Sequence, residues 1–176
     1  MFFQKYRIEM DQQKKIKIAL LGHRLNYGGA EKVMATLSNY FVKQNIDVHV
    51  IVVLNELGYS YSGTLLNLGE YKSESSGFLN KLMRLRLLAK YLKKENFDYV
   101  IDFRNRSKYK QEWFLSKFVF PKNKTIYTVH SSKLDSFFSP NIKFAQKMYA
   151  SNCEIVAICD QMKTDIEHKY DLKNVT

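Results

Sequence analysis

Apolar and β-branched residues cluster in six short runs, at 16–21, 48–54, 64–68, 99–103, 125–129 and 154–158. Each is long enough for one strand, and several are apolar at consecutive rather than alternate positions, the mark of strands buried on both faces. Between them the period lengthens to three and four residues at 30–43, 78–95, 108–118 and 160–170, which predicts helices. Pro121 closes the third of these, and Pro140 precedes a short further helix at 141–150. Strands alternating with helices predict βαβ units. The expected fold is therefore α/β: a Rossmann-like, doubly wound, mostly parallel sheet with helices covering both faces.

In such a sheet, ligands bind beyond the carboxyl ends of the strands. After the first run comes Gly28-Gly29-Ala30-Glu31, directly before a helix. Backbone N–H groups at a helix start have no internal partner, and the macrodipole favours negative charge there. Glycines would let a phosphate approach and would permit positive φ. The pair reads equally as a plain tight turn. It spells neither G-x-G-x-x-G nor G-x-x-x-x-G-K-[ST], so the standard dinucleotide fingerprint and the P-loop are disfavoured.

The other strand ends supply Asp102 to Arg106, then His130 and Ser131, then Asp160. His130 is a candidate general base or hydroxyl ligand, or else a histidine bonded to a loop carbonyl. Arg104 and Arg106 either meet a charged substrate or face water, and water is the expectation. Asp160 is expected to cap the helix that follows it.

Composition narrows the class. With 176 residues, 45% hydrophobic content, 12 Tyr and 12 Phe, the chain can bury a sizeable core. Residues 1–14 show no period and read as a flexible leader or capping segment; they lack the pattern of a signal peptide. No apolar run is long enough to span a bilayer. Cys153 and Cys159 are expected to be reduced, buried hydrophobes in a cytoplasmic setting. The four histidines are scattered, and no metal site is expected.

The net charge of +11 suits a polyanionic partner. No nucleic-acid motif is present, so nucleic acid is not expected as that partner. In the predicted helix at 78–95 the expected core stripe is Phe78, Leu82, Leu85, Ala89 and Leu92. The other side mixes Arg86, Lys90 and Lys94 with Leu79, Met83 and Leu87. That combination fits a helix resting on an anionic membrane surface, or one packed on two sides.

Taken in order, "IKIALLGHRLNYGGAEKVMATLSNYFVKQNIDVHVIVV", "FDYVIDF", "TIYTVHSS" and "EIVAICDQMKTDIEHKYDLKNVT" resemble the N-terminal half of the retaining family 4 glycosyltransferases, from about Lys15 to Thr176. The resemblance implies a GT-B architecture of two Rossmann domains. It implies that Gly28 and Gly29 lie in the interdomain cleft near the donor diphosphate, and that His130 lies by the acceptor and the transferred sugar, as a catalytic group. Asp102, Arg104 and Ser131 become candidates on the acceptor side. Cys159 stands where the family often has serine, and no role is carried over to it. In the family the C-terminal half binds the donor nucleotide and carries an E-x7-E pair. Residues 15–176 are accordingly expected to be an acceptor-side domain without its donor-binding half.

The expected reaction moves a sugar from a nucleotide-sugar co-substrate, with no other cofactor, to a saccharide, lipid-linked or protein acceptor. The expected setting is cytoplasmic, with the inner membrane face as a candidate site of attachment. A non-catalytic Rossmann-like module binding a nucleotide or an anionic partner is the alternative. Loops 55–63 and 132–140 would set specificity and carry no readable code.

Overall fold

A computed structural model describes residues 15–72, 77–121, 124–149 and 153–176. The leader at 1–14 and the side chain of Cys153 lie outside the described set. Six strands form one sheet: β1 (Lys17–Gly22), β2 (Asp47–Val52), β3 (Thr64–Asn67), β4 (Tyr99–Asp102), β5 (Thr125–Val129) and β6 (Cys153–Ala157). All pairings are parallel, in the order β3-β2-β1-β4-β5-β6. The connecting helices are α1 (Gly29–Lys43), α2 (Phe78–Glu95), α3 (Tyr109–Phe118) and α4 (Ile142–Tyr149), and α5 (Asp160–Tyr170) follows β6. The fold is the expected doubly wound α/β sheet. Its direction of winding reverses between β1 and β4, and a crevice opens at such a point.

Side-chain alternation divides the core in two. Ile18 and Leu20 of β1, with Val48, Val50 and Val52 of β2, pack against Met34 and Ala35 of α1. Ala19, Leu21, Val100, Tyr127, Val129 and Ile155 point the other way, toward Leu88 and Leu92 of α2, Leu115 of α3, Tyr149 of α4 and Ile166 of α5. Helices thus lie on both faces, but cover is unequal. On the α1 side, β4 to β6 leave Tyr99 47% and Val156 37% exposed, with Ile101 and Ile126 half-buried.

Three local expectations are corrected. In α2 the buried seam follows Leu88 and Leu92, with Leu82, Leu85 and Ala89 half-buried, whereas Phe78 is 78% exposed. Leucines occur on almost every side of this helix, so the period fixed its existence but not its phase. Leu79 and Met83 are exposed together with Arg86, Lys90 and Lys94, while Leu87 packs against the core. Asp160 is the first residue of α5 rather than its cap. Cys159 takes the cap position with an extended backbone, and its carbonyl accepts from the Lys163 N–H at 3.1 Å. That position also leaves Cys159 exposed rather than buried. Among the described residues no helix is long and apolar enough to cross a membrane.

Candidate active site

The reversal point holds a cleft of about 280 Å³. Gly22, His23 and Arg24 enter it from the end of β1, Gly29, Ala30, Glu31 and Met34 from α1, Phe103 and Asn105 from the end of β4, and His130 and Ser131 from the end of β5. Of the two glycines that could take up positive φ, only Gly28 does. At φ 115° and ψ 157° it holds a conformation essentially restricted to glycine. No side chain caps α1 there. The Glu31 carboxylate folds back over Gly28, so close that a Cβ on Gly28 would lie 2.5 Å from Oε2. A Cβ on Gly29 would meet nothing within 4 Å. The uncapped helix start therefore opens to the cleft on the Gly29 side.

His130 is half-buried and stacks on Phe103, with ring centroids 5.4 Å apart and planes at 19°. Its Nε2 lies 2.7 Å from Thr128 Oγ1, so its partner is a strand hydroxyl and not a loop carbonyl. His23 enters from the neighbouring strand, with Nε2 3.2 Å from the carbonyl of Asn105. Burial, followed by the Arg106 charge, pulls His130 below the ordinary imidazole range. Burial and then Arg104 do the same for His23. At neutral pH the cleft thus offers two uncharged rings. Sequence reasoning weighed His23 only as a metal ligand. The signal that could have found it was its place directly after the central strand. Among the described residues no cluster of three or more His, Cys, Asp or Glu groups could hold a metal ion.

Asp102 and Arg104 stand beneath the cleft and do not line it. Asp102 is fully buried; its Oδ1 accepts from Arg104 Nε at 2.9 Å and its Oδ2 from Nη2 at 2.9 Å. Nη2 also reaches Glu112 Oε2 of α3 at 2.9 Å. Burial works against the Arg104 charge, but the carboxylates of Asp102 and Glu112 overcome it and hold the guanidinium above its ordinary value. Burial pushes the Glu112 carboxyl up despite Arg104.

Arg106 is wholly buried. It donates to the Tyr149 hydroxyl at 3.1 Å, the Arg104 carbonyl at 3.1 Å and the Thr128 carbonyl at 3.2 Å, and it lies over the Tyr127 ring at 4.9 Å. The expectation that both arginines face water is therefore wrong. Two carboxylates balance the two cations, which makes their burial tolerable. Ser131 is exposed on the cleft rim, and its Oγ accepts from the Lys133 N–H at 3.2 Å. Arg86, Lys90 and Lys94 belong to the exposed side of α2, outside the cleft.

The profile described as Glycosyltransferase Family 4 matches residues 27–176, from just before Gly28 to the last residue of α5 and beyond it to Thr176. The chain belongs to glycosyltransferase family 4. No curated protein shows a significant match to it. The family 4 match covers the helix start, both arginines and His130, and so most of the cleft; Gly22, His23 and Arg24 stand just before it.

The histidines make stability depend on pH. Burial leads the lowering of His23, His49 and His130 alike. The unfolded chain, with ordinary imidazoles, therefore takes up protons first as pH falls through about 6.5. Stability contributed by the neutral rings is complete above that value and is lost between it and the lowered folded values. Urea midpoints are expected to be higher at about pH 8 than at about pH 6. Glu112 acts in the opposite sense toward the carboxylate range, which is why the interval stops at about 6. A midpoint that is flat or rises on acidification across this interval would contradict the assignment.

Proposed function

We propose that this domain is the acceptor-side half of a retaining glycosyltransferase of GT-B architecture, which moves a sugar from a nucleotide-sugar donor to a saccharide, lipid-linked or protein acceptor. The observation that carries the reading is the cleft itself. A helix start open at Gly29 and the ring of His130 share one opening at the reversal of the sheet. The helix start suits the donor diphosphate and stabilises the charge that develops on the leaving group. His130 suits a sugar or acceptor hydroxyl beside it. Ser131 is the rim group available to the acceptor, whereas Asp102 and Arg104 hold the floor in place. The donor nucleotide is a co-substrate, and most of its contacts come from a second domain.

The test is a valine at Gly29. Its side chain points into open cleft, so the fold is retained while the phosphate path narrows. In the enzyme that contains this domain, Gly29→Val is expected to raise KM for the nucleotide sugar about tenfold, roughly 1.4 kcal/mol of lost binding. An unaltered KM in a folded variant would remove the helix start from the donor site.

The site of action proposed is the inner face of the cytoplasmic membrane. Exposed Phe78, Leu79 and Met83 share α2 with exposed Arg86, Lys90 and Lys94, a mixture suited to anionic lipid. The protein is expected to sediment with vesicles of anionic lipid more than with neutral ones. Each basic residue near such a surface contributes about 1 kcal/mol, so reversing all three to Glu should abolish the difference. Equal sedimentation of parent and triple variant would move the attachment elsewhere.

A further inference from the structure

Thr128 occupies a position that the cleft residues alone do not explain. It is buried in β5, and its hydroxyl touches two groups at once. One is the carbonyl of Asp102 at 3.0 Å, which can only accept. Two bare oxygens at this distance would repel, so the single hydroxyl proton lies between Oγ1 and that carbonyl. The other group is His130 Nε2 at 2.7 Å. With its proton committed, Oγ1 can meet this nitrogen only as an acceptor, so Nε2 must carry a hydrogen. Protonation of a neutral ring at Nε2 leaves Nδ1 bare. Nδ1 makes no hydrogen bond to any described residue, while the ring lines the cleft.

We propose that Thr128 is a positioning residue, which fixes His130 as the Nε2–H tautomer and so presents Nδ1 to the cleft as a hydrogen-bond acceptor. The arrangement selects ligand chemistry. A bare nitrogen takes a hydroxyl or amide proton and repels the oxygens of a phosphate or carboxylate. His23 repeats the pattern, because its Nε2 faces the carbonyl of Asn105 and must also donate. The opening therefore sets two proton acceptors beside a helix start that favours an anion, which fits a ligand carrying hydroxyls at one end and phosphate at the other. Use of Nδ1 on a sugar hydroxyl rests on the glycosyltransferase reading; the tautomer does not.

The lever is the fixed direction of the chain from Asp102 carbonyl to Thr128 hydroxyl to imidazole. Asp102 is itself immobilised by the two-pronged clamp of Arg104, and Arg106 holds the Thr128 carbonyl. The burial and Arg106 charge that keep His130 neutral also keep Nδ1 unprotonated near pH 7.

Long-range 1H–15N correlation spectra of the 15N-labelled chain decide the matter without any substrate. The parent protein should show a pyrrole-type Nε2 and a pyridine-type Nδ1 for His130. Thr128→Val keeps the shape and removes the acceptor, so the two resonances should move toward an average of both tautomers. Thr128→Ser should restore the parent pattern, and His49 in the core should report an unchanged fold in both variants. A proton on Nδ1 in the parent, or His130 resonances indifferent to Thr128→Val, overturns the proposal. Should the valine variant fail to fold, Thr128→Ala, which also removes the acceptor, takes its place with the same expected averaging and the same overturning result. A transfer assay on the enzyme that contains this domain tests the wider reading separately. About a tenfold loss for Thr128→Val and near-parent turnover for Thr128→Ser are expected, and an intact rate in the valine variant would show that the tautomer does not serve the reaction.

Discussion

Replacing His130 with alanine in the enzyme that contains this domain should lower kcat by ~100-fold or more, the scale of losing a positioned group that bonds or moves a proton in the transition state. The ring is half-buried and leans on Phe103 rather than filling the core, so the melting temperature should change little. Steady-state kinetics at saturating donor, with calorimetry on the same preparation, separate the two effects. A variant that melts early yet turns over normally per folded molecule would make His130 a structural residue.

The largest expected effect on stability lies just beneath. Arg104→Met removes the cation from between Asp102 and Glu112 and leaves two carboxylates in the interior with no guanidinium between them. Breaking a buried pair in this way costs about 3–5 kcal/mol, on the order of a hundredfold to several thousandfold in the folding equilibrium. Urea unfolding measures it directly. Neutralising the acids as well, with Asp102→Asn and Glu112→Gln beside Arg104→Met, should recover much of the loss, since the penalty belongs to unpaired charge more than to the missing contact. If Arg104→Met alone stays within about 1 kcal/mol of the parent, the triad is not the brace described here.

The contrast between these two sites shows what a sequence can disclose. His130 was legible because it follows an apolar run, and the end of a strand in a doubly wound sheet is where ligands meet the protein. Gly28 was legible for a similar reason, although its positive φ could not be divided between the two glycines without coordinates. Arg104 and Arg106 were not legible. Their partners are Glu112 on the next helix and Tyr149 on a later one, and no local pattern links residues 8 and 43 positions apart. Thr128 gave no sign of its place between Asp102 and His130, because an inward-facing threonine in a strand looks like ordinary β-branched filling. The span of α5 was legible in full, at 160–170, and only its cap was placed one residue late, on Asp160 instead of Cys159.

The central place of β1 has a consequence during synthesis. One edge of β1 is satisfied early by β2, but the other waits for β4, whose Tyr99 pairs with Ile18 across 81 positions. At about 5–20 residues per second, that edge stays open for roughly 4–16 seconds after β1 has been made. Throughout that interval the β1–α1–β2 unit presents an open parallel edge to any other nascent chain. Slow decoding between residues 54 and 98 would lengthen the exposure and faster decoding would shorten it, so the yield of folded protein is expected to follow codon choice between β2 and β4.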